Sequence, residues 1–389
     1  MVESITAILT SIGFPSPEAF IGLLFMVLAI IGAIIVVITF RPLMEYYPYT
    51  YPNARIRARI GSLFNSKQIS EITETDSSEE MKNYLRGSKE YAKYIDKFNM
   101  EKALDTNLAE TSDLLARVTP KTVKPVFEVM LKEWDIKNIK SVLIAKEAKL
   151  NEEETMDFLV PYGELKDIQD KLLDANNVQE LIIALENTPY AKILEDALPD
   201  YNEKGTLLSL EAALDNYYYK ELLTKSSSQE DDNTRMLHNY IGTKVDINNL
   251  KIILRAKADG LKYEEIHNYA ISAGYQLREW KLKELMEAED LNSVLSSIEG
   301  TVYGKIVSEH IPEFNQTNSI APFEKALDQH ERKVADNIFK KKPFGIGPIV
   351  GYLNKKEIEI KNLKVISRSK RVSGIPTSEI KDMLLWKTI

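Results

Sequence analysis

DIKNIKSVLIAK (Asp135–Lys146), DINNLKIILRAK (Asp246–Lys257) and EIKNLKVISRSK (Glu359–Lys370) are one block written three times, at near-equal intervals along the chain. A second block precedes each copy: MEKALD ending at Asp105, LEAALD ending at Asp215 and FEKALD ending at Asp328. The step from Asp105 to Asp135 is repeated, to within one position, from Asp215 to Asp246 and from Asp328 to Glu359. Wording and separation kept together in three copies mark an internal repeat of about 110 residues. A repeat built for chemistry keeps one active copy and lets the others drift. Here the framework is kept in every copy, which points to a mechanical part.

Working outward, the expected organisation is a short extracytoplasmic segment (1–18), a transmembrane helix (19–40) and three helical repeats (49–150, 151–261 and 262–389). TPYAKIL (Thr188–Leu194) matches TVYGKIV (Thr301–Val307), and Tyr190 precedes Asp215 by the same interval as Tyr303 precedes Asp328. In the first repeat Tyr91 lies much closer to Asp105, so that unit is trimmed. Thr73–Glu80, Ser226–Asn233 and Glu313–Ser319 read as polar loops. No stretch alternates as a strand does, and each repeat reads as a small antiparallel helix bundle. The predicted fold class is all-α.

Ala19–Phe40 (AFIGLLFMVLAIIGAIIVVITF) carries no charge at any position. As a helix it is about 33 Å long, enough to cross a hydrocarbon core. Arg41, Arg55, Arg57 and Arg59 follow it, which places the C-terminal side in the cytoplasm by the positive-inside rule. The Tyr/Pro cluster from Tyr46 to Pro52 reads as an interfacial joint, and Asn53 as the N-cap of the next helix.

Composition excludes much. The 389 residues hold no cysteine, so disulfides, thiolate metal sites and cysteine nucleophiles are out. A formal net charge of −8 argues against nucleic-acid binding. His238, His267, His310 and His330 have no metal-ligand spacing. Gly345, Gly347 and Gly351 look like a dinucleotide loop, but no strand precedes them, and Pro348 suits the first turn of a helix. No cofactor is expected.

In the repeated blocks Asp135, Asp246 and Glu359 are expected at helix N-termini. Glu101 and Asp105 share a helical face, as do Glu211 with Asp215 and Glu324 with Asp328. Lys140 and Lys146 recur as Lys251 and Lys257, then as Lys364 and Lys370. An acidic edge and fixed lysines suggest an ion-pair latch within each unit. Three equivalent carboxylate pairs spread round a threefold object cannot converge on one catalytic centre.

Pro343–Arg371 (PFGIGPIVGYLNKKEIEIKNLKVISRSKR) closely resembles the C-terminal signature of the C-subunit family of archaeal A-type and V-type ATP synthases. Tyr51–Arg59 (YPNARIRAR) is similar to that family's opening helix, and Asp246–Gly260 to its middle. The resemblance implies three units around a pseudo-threefold axis, forming a funnel. It implies a non-catalytic rotor part, one copy per complex, seated on the cytoplasmic face of the proteolipid ring and receiving the central axle. Arg55, Arg57, Arg59 and Tyr352 are the candidate partner contacts. The membrane segment departs from the family's usual pattern, so a membrane-tethered helical adaptor is the competing reading.

Overall fold

The structure, a computed structural model, describes residues 11, 13, 17–227, 231–267, 269–372 and 374–385. Most of the expected segment 1–18, the centre of the Ser226–Asn233 loop and the last four residues lie outside the described residues. Two compact units are present, Met1–Thr50 and Tyr51–Ile389. Among the described residues every regular element is helical.

The first unit is dominated by α1 (Pro17–Tyr46), a 30-residue helix. The expected span therefore lies wholly inside it. The helix runs past Pro42 and ends at Tyr46, where the expected Tyr/Pro joint begins; Pro48 lies within a 3-10 turn at Tyr47–Tyr49. Side chains from Phe20 to Phe40 are largely exposed, with an 18-residue window of mean hydropathy 3.2. A helix apolar on all sides needs an apolar surround.

The second unit opens with α2 (Thr50–Ile60), which starts ahead of the expected cap. Asn53 is buried within it and donates from Nδ2 to the Gly345 carbonyl at 2.9 Å. Six long helices follow: α3 (Met100–Val118), α4 (Lys124–Glu147), α5 (Leu208–Ser226), α6 (Asp232–Ala258), α7 (Ala321–Lys341) and α8 (Gly347–Ser369). The pairs α3–α4, α5–α6 and α7–α8 are hairpins, one per repeat. Each long helix also packs on the next across the repeats, α4 on α5, α6 on α7, and α8 back on α3. The six therefore form a closed cycle.

Short helices make three lobes on this cycle. One lies between α4 and α5 and includes Gln169–Asp174 and Val178–Ala184. Its counterpart between α6 and α7 includes Glu279–Glu287 and Leu291–Ile298. The third is assembled from both ends of the second unit. Ser66–Glu74 and Ser78–Arg86 come from before α3, and Thr377–Met383 from after α8. One apolar cluster joins them: Phe64, Ile69, Met81 and Leu85 pack with Ile360, Leu363, Ile380 and Leu384.

The lobes are pinned by the repeated acids, which are not where the sequence places them. The long helices begin three to four turns upstream, at Lys124, Asp232 and Gly347, two of them with proline in the first turn. Asp135, Asp246 and Glu359 are consequently mid-helix and at most 1% exposed. A buried carboxylate must be hydrogen-bonded. Asp135 accepts from the amides of Glu164 and Leu165 (3.2 and 2.9 Å) and from the Tyr190 hydroxyl (3.1 Å). Asp246 accepts from the Tyr275, Gln276 and Leu277 amides (2.8, 2.7 and 3.2 Å) and the Tyr303 hydroxyl (2.9 Å). Glu359 accepts from the Phe64 amide at 2.6 Å and from the Tyr91 hydroxyl. That last set joins residues 295 positions apart in the sequence. The turn reaching Asp135 requires Gly163, whose φ is +106° and where a Cβ would sit 2.2 Å from the carboxylate.

The asparagine three positions after each acid seconds it. Asn138 exchanges two bonds with the Val160 backbone (2.8 and 2.9 Å), Asn249 accepts from Ile271 N–H at 2.9 Å, and Asn362 accepts from Leu385 N–H at 3.0 Å. Of the expected loops, Thr73–Glu80 shrinks to residues 75–77. Glu313–Ser319 is instead mostly helical, Ile311–Thr317, with Pro312 in its first turn and Asn318 ending it at φ 51°.

Two outcomes follow from the anchors. Lys356, fully buried, donates to Glu359 at 3.0 Å and to the Tyr91 hydroxyl at 2.9 Å. Lys356→Met strands a buried carboxylate and is expected to cost about 3–5 kcal/mol in denaturant unfolding. Burial pushes the Asp135 carboxyl up to about 6, against its hydrogen bonds and above its ordinary 3.8. The native state then holds more protons than the unfolded one between about pH 4 and 6, so this group's contribution to stability falls as pH rises through that window. The stability difference between wild type and Asp135→Asn, followed across pH, should move in that sense. A difference rising with pH would contradict the assignment.

Candidate functional site

At about 100° per residue, positions 133, 137, 140 and 144 lie roughly 140–200° round α4 from Asp135. Since Asp135 faces a lobe, this opposite face looks into the cycle of helices. The same holds for Lys244, Asn248, Lys251 and Arg255 on α6, and for Glu357, Lys361, Lys364 and Arg368 on α8. The inner face is polar, and the acids of the other block meet it there.

The expected latch exists, but it joins neighbouring units rather than closing each one. Lys140 on α4 donates to Asp215 on α5 at 2.6 Å. Lys251 on α6 donates to Asp328 on α7. Lys364 on α8 donates to Asp105 on α3 at 2.6 Å. The reason is geometric: each acid-bearing helix packs against the lysine-bearing helix of the preceding repeat, and the last contact closes the cycle. Asp105 also pairs with Lys137, and Asp328 with Lys361 at 2.6 Å, each within its own hairpin. A second rung reinforces two seams. Arg368 holds Glu101 through two bonds of 2.9 and 3.1 Å, and Arg255 holds Glu324.

Deeper on the inner face, Lys244 pairs with Glu357 at 2.7 Å beside a cavity of about 210 Å³ lined by Tyr219, Asp328, Glu331 and Lys361. Burial opposes the Lys244 charge, yet Glu357, Tyr240, Glu331 and Glu133 hold its pKa well above the usual lysine range. Burial raises the Glu331 carboxyl. Tyr240 donates to Glu331 at 3.2 Å, and Tyr218 to Glu133 at 3.1 Å. These groups order one another; no nucleophile–base pair is formed by them. Among the described residues no His, Asp and Glu cluster suits a metal ion.

The other sequence candidates fall elsewhere. Lys146 donates to the Leu173 carbonyl at 2.5 Å and Lys370 to the Thr73 and Thr75 carbonyls, each at the end of a short lobe helix. Such a cation suits the negative end of the helix dipole. Lys257 occupies the equivalent position and is buried near Glu264. Arg55 and Arg57 are exposed; Arg55 donates to the Tyr51 hydroxyl at 2.9 Å and Arg57 to the Pro343 carbonyl at 2.6 Å. Arg59 lies 3.8 Å from Glu90 and 3.7 Å from Glu110. Tyr352 is fully buried, next to Arg59 and Thr111, and so belongs to the packing of α2 on α8 instead of an accessible surface. The sequence pattern marks Tyr91, Tyr190 and Tyr303 as matched repeat positions but not as partners of the anchors, and it does not mark the asparagines. Their signal is present, since Asp/Glu-Ile-x-Asn stands in all three copies.

The family model for the ATP synthase (C/AC39) subunit matches residues 52–383. The chain is 71% identical over 385 residues to the A-type ATP synthase C-subunit of Methanosphaera stadtmanae, covering 99% of this chain and all of that one. It is 54% identical to the same protein of Methanothermobacter thermautotrophicus, again over 99% and 100%. With that of Methanocaldococcus jannaschii it shares 38% over 88% of this chain and 87% of the relative. The first two alignments leave too few residues out to omit α1.

The seams differ in burial, and stability should follow. The Asp105 side chain is 10% exposed and holds two lysines, whereas Asp215 is 44% exposed and holds one. Asp105→Ala is expected to cost about 3 kcal/mol by stranding partly buried charges. Asp215→Ala should cost about 1 kcal/mol or less. Equal midpoint shifts in thermal or denaturant unfolding would refute this ordering.

Proposed function

The chain belongs to the ATP synthase (C/AC39) subunit family, and from that premise we propose that it is the non-catalytic rotor coupling between the proteolipid ring and the central axle. One copy per complex serves proton- or sodium-driven ATP synthesis, or ATP-driven pumping. The observation that carries this reading is the closed cycle of six long helices with a polar inner face. A rotor coupling needs a seat around an axis, stiff in torsion, and requires no bond-making chemistry. Ion pairs joining each repeat to the next resist sliding of one hairpin past another, while the anchored lobes brace the cycle from outside.

The apolar stretch 19–40 supports membrane attachment with the larger unit on the cytoplasmic side, given the arginines that follow it. Only the stretch 41–50 separates Phe40 from Tyr51. A helix outside a rotating ring would sweep past the stator once per turn; a helix in the ring lumen turns with it. The lumen is therefore the proposed place of residues 19–40, with Gly22, Gly32 and Ala33 offering close packing.

Cysteines introduced along residues 19–40 in the intact complex should crosslink to lumen-facing positions of the proteolipid ring. Crosslinks chiefly to the stator would rule out the lumen. Truncation after Leu261 removes α7 and α8 and leaves the cycle open, so ATP turnover should proceed without ion transport in membrane vesicles. Normal coupling in the truncated enzyme would rule out the socket.

A further inference from the structure

The three seams are built alike and charged unlike. At the α8–α3 seam two carboxylates, Glu101 and Asp105, meet three cations, Lys137, Lys364 and Arg368. At the α6–α7 seam Glu324 and Asp328 likewise meet Arg255, Lys251 and Lys361. At the α4–α5 seam, among the described residues, Glu211 and Asp215 meet Lys140 alone. The sequence shows why. The arginine position of the repeated block is Ile144 here, and the lysine position of the hairpin's own long helix is Asn248. Two positive charges that the other copies carry are missing, while both acids are kept.

The place is open. Ile144 is 51% exposed, and the Asp215 side chain is 44% exposed against 10% and 13% for its counterparts. A cavity of about 340 Å³ lies beside the pair, lined by Glu211, Asp215, Leu208, Ala212, Ile252 and Leu261. Arg255 also borders it but is committed to Glu324. An acidic mouth over an apolar wall suits a long basic side chain, whose methylenes lie on the wall while its head meets the carboxylates. Burial already raises the Glu211 carboxyl, with Lys140 opposing.

We propose that Glu211 and Asp215 receive a lysine or arginine side chain from a central-stalk partner, which supplies the positive charge that Arg255 and Arg368 supply at the other two seams. The two equivalent pairs in the same chain show what this pair is shaped to hold. One open seam among three also breaks the symmetry of the seat. A shaft keyed there has a single rotational register relative to the chain, which a seat with three equal seams could not impose. The inference rests on the coupling reading above.

The test titrates purified central-stalk proteins of the same complex onto the full-length chain in detergent, at low and raised salt. Ile144→Arg with Asn248→Lys supplies the missing cations in cis, and Glu211→Gln with Asp215→Asn removes the charges they answer. Ile183→Arg, on a lobe surface where Ile183 is 67% exposed, is the control. Each double variant should weaken binding tenfold or more and flatten its salt dependence, with the control unchanged. The first double variant adds ion pairs to an exposed seam, so loss of folding does not confound it; circular dichroism checks both. Variants that bind as wild type does would overturn the seat while leaving the coupling intact. Absence of wild-type binding would overturn the coupling reading, and this one with it.

Discussion

A carboxylate buried in the middle of a long helix cannot be left alone, and the architecture of this chain follows from satisfying three of them. Each obliges a lobe to present backbone amides and a tyrosine hydroxyl at hydrogen-bond distance. For Asp135 and Asp246 the lobe is the next stretch of chain. For Glu359 the amide of Phe64 and the hydroxyl of Tyr91, both from before α3, serve instead. The requirement that shapes each repeat therefore also ties the two ends of the second unit together. The glutamate, one methylene longer than its aspartate counterparts, and the buried Lys356 beside it are the local adjustments to that non-local closure.

Closure by anchors and closure by ion pairs act at different depths. The anchors are buried and set which lobe meets which helix. The inner-face pairs are partly solvated, worth little one at a time, and set register between hairpins. A cycle of such pairs differs from a row of them: shifting one hairpin along its axis misaligns the seams on both its sides. Stiffness of that kind is what a part transmitting torque needs from non-covalent contacts.

The helical class, the threefold wording of the blocks, the apolar segment and the family are legible in the sequence, because each rests on local pattern. The identity of the latch residues is legible too, but not its direction. Lys140 meets Asp215 of the following repeat, and spacing alone says nothing about which neighbour a helix packs against. The anchors read as helix starts because an aspartate ahead of an apolar stripe is a good start signal. The true starts are set upstream by Pro125, by the Asp231 cap and by Pro348. Tyr91 reads as the remnant of a trimmed repeat, whereas it completes the lobe shared by both ends of the second unit. Only three-dimensional contact reveals that, since most of the chain separates it from Glu359.

We propose that this closed cycle of helices sits on the rotor axis of an A-type ATP synthase. Density for the intact complex, obtained by electron cryomicroscopy, tests it most directly. The account predicts one copy of the chain, its six long helices surrounding the axis of the proteolipid ring, with the axle foot meeting their polar inner face. Density placing the chain off that axis, against the stator or at the periphery, would contradict it.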